Sequence, residues 1–153
     1  MKTKFCFAIV AVGFAFPLVG QTENPSGDVT SNKPEFRNLA DLKWDKLLPG
    51  LGPDSPEICF LHIDPKTHAT SLLIRTPKGI YVRKHWHSAN ETHTLITGTA
   101  TFACEGKRVE MGPGDFNYMP ARMVHEAWLP ANALTFITVG WRLGRELGRG
   151  SAD

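Results

Sequence analysis

Four residues of this 153-residue chain have types and spacings suited to one shared ion. His85 and His87 stand one residue apart. In a strand, alternate residues face the same way, so both imidazoles project from one face. Glu91 follows after Ser88-Ala89-Asn90, a polar, turn-like step that lets the next strand return alongside and deliver a carboxylate beside them. His125 comes after Gly114-Asp115-Phe116-Asn117-Tyr118-Met119-Pro120, which reads as a turn, a short strand and a second turn, and it can supply a third imidazole from an adjacent strand. A His-x-His pair by itself is more often two half-exposed strand histidines than a metal site, so the longer pattern has to decide.

The same parity places other groups near the cluster. His93 lies two residues beyond Glu91 and shares its face, either as a satisfied polar core residue or as a proton carrier. Tyr81 and Arg83 are in phase with His85 and would orient a substrate oxygen or carboxylate if the strand is regular from Gly79 onward. If it is not, they are solvated rim residues. Trp86 and Trp128 flank the histidines and are expected to pack the sandwich rather than stack a substrate, and Trp44 and Trp141 are read in the same way. His62 and His68 fall in or beside a hairpin and are expected at the surface. No competing layout is present: the chain has no Gly-x-Ser-x-Gly elbow, phosphate-cradling Gly-Lys-Ser/Thr loop, dinucleotide fingerprint or Cys-x-x-Cys.

The elements that must hold these groups are short. From Glu57 onward, β-branched or aromatic runs alternate with turns over 57–63, 69–76, 79–87, 91–104, 107–111, 115–119, 124–129 and 133–143. Such a series without a long helical period indicates an all-β sandwich or barrel. Asp64-Pro65-Lys66-Thr67 and Glu105-Gly106-Lys107 have hairpin-turn composition. With 42% hydrophobic and 21% charged residues, the chain fits one globular domain.

Before that domain, Met1-Lys2-Thr3-Lys4 leads into an uncharged apolar run from Phe5 to Val19. This is the layout of a secretory signal peptide, and it falls short of the roughly 18 apolar residues that span a bilayer. The expected organisation is a leader over 1–20, a tether and N-terminal extension over 21–56, the folded domain over 57–143 and a flexible tail over 144–153. The protein is then exported, to the periplasm or beyond the cell, with no stable membrane anchor after cleavage. Loss of Lys2 and Lys4 balances the 17 basic and 15 acidic residues, so a nucleic-acid partner has no electrostatic support. Cys59 and Cys104 remain, both in strand-like apolar runs where free thiols are common, and a disulfide between them is not expected.

Gly79, His85, His87, Glu91 and Gly98, with five, one, three and six residues between them, together with Gly114, Pro120 and His125, resemble the two motifs of the cupin superfamily. Within it, Pro77-Lys78-Gly79 and Gly112-Pro113-Gly114-Asp115 look most like the ChrR-type cupins. Two positions depart from the pattern. Arg122 stands where the second motif usually has Gly, and Leu129 where it usually ends in Asn. Neither is a ligand position in the family, but they put the shape of the turn and the polarity of the barrel mouth in question.

The resemblance implies a single-domain jelly roll, or double-stranded β-helix, in which His85, His87, Glu91 and His125 bind one divalent cation. Three imidazoles and a carboxylate suit Fe, Mn, Zn, Ni or Cu rather than an all-oxygen Mg or Ca cage. In six-coordinate geometry two positions stay open for a small-molecule substrate or ligand. Three functions follow as expectations. The first is a dioxygenase-type enzyme acting on a small diketone, enol or carboxylate. The others are a metal-dependent lyase or isomerase, and a non-catalytic module that senses or binds a small ligand. Cupins of this size often pair through strands, so a homodimer is the expectation by analogy.

Overall fold

A computed structural model describes residues 29–140. The leader over 1–20, the first residues of the tether, Trp141 and the tail over 144–153 lie outside the described residues. Ten strands follow in order: β1 Asp45–Lys46, β2 Glu57–Ile63, β3 Thr70–Thr76, β4 Ile80–His85, β5 Asn90–Thr97, β6 Ala100–Cys104, β7 Lys107–Met111, β8 Phe116–Met119, β9 His125–Leu129 and β10 Ala133–Gly140. They form a six-stranded sheet ordered β1-β2-β3-β10-β5-β8 and a four-stranded sheet ordered β4-β9-β6-β7, all pairs antiparallel. This is the expected jelly-roll barrel.

The turns form for local reasons. Asp64 Oδ1 accepts the backbone N–H groups of Lys66 and Thr67 at 2.8 and 2.7 Å, closing the β2–β3 hairpin as an aspartate-capped turn. Glu105 and Gly106 both take positive φ, 50° and 76°, the geometry that matches strand twist in a two-residue hairpin. The run 91–104, read as one strand, is two. Gly98 turns it with φ 77°, and a Cβ there would sit 2.8 Å from Ala133 Cα, so the chain breaks at the residue that permits the close approach.

The interior is filled by two groups of apolar side chains. Leu95, Ala100, Phe102, Met111, Met119 and Ala127 form one, and Ile58, Leu72 and Ile137 the other. On the opposite face of the six-stranded sheet, Cys59 and Leu73 pair across β2 and β3 and are also buried. The segment before β2 is tied to that sheet: β1 pairs with β2, Val29 O accepts the Ile63 N–H at 2.8 Å, and the Arg75 guanidinium lies 4.2 Å from the centre of the Trp44 ring. Cys59 and Cys104 are free thiols, and burial raises the pKa of Cys59.

Candidate metal centre

The inward face of β5 supplies two of the polar groups. Its residues alternate half-buried and buried from Asn90 to Leu95, so Glu91, His93 and Leu95 point into the barrel together. The four-stranded sheet supplies two more. His85 ends β4 and is the register partner of His125, which begins β9. The fifth group, His87, lies two residues beyond the end of β4, in the connection to β5. Its position is fixed by backbone bonding, the Arg122 N–H donating to His87 O at 2.7 Å. Next to it, Asn90 Oδ1 accepts the Ala121 N–H at 2.9 Å.

Three of the imidazoles have their tautomer set from outside. His85 Nδ1 donates to Arg83 O at 2.7 Å and His125 Nδ1 to Met123 O at 3.0 Å, since a carbonyl oxygen can only accept. His93 Nδ1 lies 2.8 Å from Asn117 Oδ1, while the Asn117 amide nitrogen donates to Met111 Sδ at 3.3 Å. With Nδ1 carrying the proton, each ring leaves an Nε2 lone pair, the arrangement that orients histidine towards a metal.

These groups converge. One ligand atom from each of His85, His87 and His125 lies within 4.8 Å of the others. Glu91 Oε2 is 3.2 Å from His87 Nε2, 3.6 Å from His93 Nε2 and 3.8 Å from His125 Nε2. That carboxylate oxygen is buried and has no hydrogen-bond partner. Burial pushes the Glu91 carboxyl up to about 7. Burial, reinforced by neighbouring imidazoles, pushes His87 down to about 4, and burial pushes His93 down to about 4 despite its bond to Asn117. His125 is lowered for the same first reason. Neutral imidazoles facing an unpaired buried carboxylate oxygen form an acceptor-rich pocket that lacks a donor, and this composition fits a divalent transition metal.

Parity misplaces two residues. β4 is not regular: its register to β9 shifts between Val82 and His85, so Tyr81 and Arg83 fall on the exposed outer side while His85 turns inward. The Tyr81 hydroxyl donates to Glu126, and its ring stacks on Trp128 at 5.1 Å, with the Arg108 guanidinium 4.0 Å from the Trp128 ring. Trp128 thus packs on the outside of the four-stranded sheet. Trp86 packs no sandwich, being 55% exposed. His68 is exposed in the β2–β3 turn, and His62 is half-buried on β2. Sequence reasoning missed Asn117, the partner of His93. Its signal was a polar residue in phase with the inward Met119. The Phe102 ring lies 4.8 Å from that of His93 and is its apolar neighbour. A cleft of about 530 Å³ between β7 and β8 is lined in part by Phe102 and Asn117. None of the five converging groups lines it; it adjoins the centre through Phe102 and Asn117 beside His93, Met119 opposite Glu91 and Cys104 opposite His125.

The cupin domain family model matches residues 72–139. Among solved structures, an RmlC-like cupin from Shewanella frigidimarina superposes with a TM-score of 0.57 at 15% identity, covering 74% of this chain and 95% of that one. The DMSP lyase DddQ from Ruegeria pomeroyi gives 0.54 at 20% identity, covering 68% of this chain and 58% of that one. A putative mannose-6-phosphate isomerase from Ralstonia eutropha gives 0.56 at 20% identity, covering 70% and 98%. No curated protein matches the sequence.

Proposed function

The chain carries a domain of the cupin superfamily, and from that premise we propose that it is an exported, metal-dependent enzyme acting on a small diketone, enol or carboxylate by oxygenase-type chemistry. The observation that carries this reading is the unpaired, buried Glu91 Oε2 within 4 Å of three imidazole nitrogens. His85, His87, Glu91 and His125 would hold one Fe, Mn, Zn, Ni or Cu ion. Such an ion supplies Lewis acidity towards an oxygen donor and, where redox-active, access to dioxygen chemistry.

The remaining steps belong to the chain's own backbone and side-chain groups. The carbonyls of Arg83 and Met123 hold His85 and His125 in the tautomer with Nε2 free. Asn117 does the same for His93, whose Nε2 faces Glu91. His93 is the proton carrier, able to take a proton from a substrate carbon or oxygen at Nε2 and, being a weak base in its buried site, to pass it on rather than hold it. Phe102 and Met119 exclude water from that side. The leader-like start over 1–20 supports export.

The test is dioxygen consumption by the Fe(II)-loaded protein across a panel of diketones and carboxylates. Substrate-dependent uptake supports the oxygenase reading; its absence across the panel removes it. A second reading, a lyase or isomerase, is favoured by the Glu91–His93 pair, which can move a proton without an oxidant, and by the lyase and putative isomerase among similar folds. Turnover under nitrogen would select it.

A further inference from the structure

Arg122 occupies a position of the second motif where a glycine is usual and the turn requires what glycine gives. The Met123 N–H donates to Pro120 O at 3.0 Å, closing a turn over Pro120-Ala121-Arg122-Met123, and Arg122 takes φ 65° at its third residue. A turn with positive φ at that place prefers glycine, and an L side chain there is strained. The other non-glycine residues with positive φ, His68, Glu105 and Asn132, lie in the turns linking β2 to β3, β6 to β7 and β9 to β10. Arg122 differs because its backbone is bonded to the centre: its N–H meets His87 O at 2.7 Å, and the next residue's carbonyl holds His125 Nδ1.

The centre opens towards solvent on this side. The His87 side chain is 30% exposed, against 9% for Glu91 and 3% for His125. Arg122 is exposed, and its guanidinium has no ion-pair partner among the described residues. Arg122 therefore adds a fixed positive charge at the residue bonded to His87, in addition to any held ion. Strained backbone retained beside a functional centre is a pointer to a role for the side chain it carries.

We propose that Arg122 is a specificity-determining residue that selects substrates bearing a carboxylate in addition to the oxygen donors that face the ion. A guanidinium is a planar, permanently charged fork that matches a carboxylate with two parallel hydrogen bonds. This rests on the metal-centre reading above and narrows its substrate class from small oxygen donors to those with a second, anionic end.

The test uses full-length protein loaded with Co(II), whose visible spectrum reports ligand binding. Oxaloacetate, 2-oxoglutarate and 2-oxoadipate are titrated against 2-oxopentanoate, which has the same 2-oxo acid end and no distal carboxylate. In the unsubstituted protein at least one diacid is expected to bind about tenfold more tightly, the scale of one charge-assisted contact. Arg122→Gly should erase that preference, leave the Co(II) content unchanged and raise the melting temperature by relieving the turn. Arg122→Lys should retain part of the preference. Equal binding of diacids and monoacid, or a preference that survives Arg122→Gly, overturns the role of Arg122 while the metal reading stands. Failure to bind Co(II) at one equivalent overturns the metal reading itself, and this proposal with it.

Discussion

β4 and β5 both carry polar groups of the centre, yet only one of them obeys the alternation that a strand promises. β5 lies between β10 and β8, paired on both sides, and Glu91, His93 and Leu95 face inward in strict turn. β4 is an edge strand paired only with β9, and its register slips between Val82 and His85. From Glu91 to Thr94, where β5 is bonded on two sides, a shift would break two ladders, and its register to β10 slips only beyond them, at Ile96, whereas the edge strand β4 takes up its extra residue just before His85. The slip lets His85 face inward although Tyr81 and Arg83 face out.

The largest expected effect breaks the better-held side. Leu95 on β5 is among the most buried residues of the chain, so Leu95→Ala should cost about 3 kcal/mol of unfolding free energy. Val82 on β4 is only half-buried, and Val82→Ala should cost about 1 kcal/mol. Chemical denaturation of both variants measures the contrast, and equal losses would show that the edge strand is as firmly packed as the central one.

A middle-sized effect comes from Glu91. Its carboxyl titrates near 7 in the metal-free protein, while His87 and His93 stay neutral down to about 4. Metal must displace the proton from Glu91, and acid favours that proton, so affinity should fall as pH falls. Glu91 alone should contribute about tenfold per pH unit between roughly pH 7 and 5, one proton per ion. Competition titrations across that range read the slope. In Glu91→Gln the slope should be shallower over the same window by that one proton.

The smallest effects belong to the outer face of β4. Tyr81→Phe removes a hydroxyl bonded to Glu126 at the surface, and Arg83→Ala removes an exposed side chain whose backbone carbonyl, not its guanidinium, meets His85. Each should change stability by about 0.5 kcal/mol or less and leave metal content unchanged. A loss of metal in Arg83→Ala would put that side chain back at the centre.

Much of this was legible in the residues themselves. Short β-branched runs, the hairpin at Asp64-Pro65-Lys66-Thr67 and the phase of Glu91 with His93 depend on local sequence alone, and each appears in the structure. His85 and His87 do come together, their ring centres 4.8 Å apart, but not by strand parity: the strand stops at His85, and backbone bonds to the Pro120–Met123 turn place His87. That contact joins segments over 30 residues apart in the chain, and no local pattern encodes it. The break at Gly98 was hidden for the same reason, because its cause is the approach of Ala133 from β10. Asn117 could be recognised as a partner only once β8 was paired beside β5.

The central claim is that the converging imidazoles and Glu91 hold one ion, and metal stoichiometry tests it most directly. Elemental analysis of the purified full-length protein and of His87→Ala, with circular dichroism to confirm that the variant is folded, should find close to one equivalent of a first-row transition metal in the former. Most of that metal should be absent from the latter. A folded His87→Ala that retains its full equivalent would contradict the assignment of the centre.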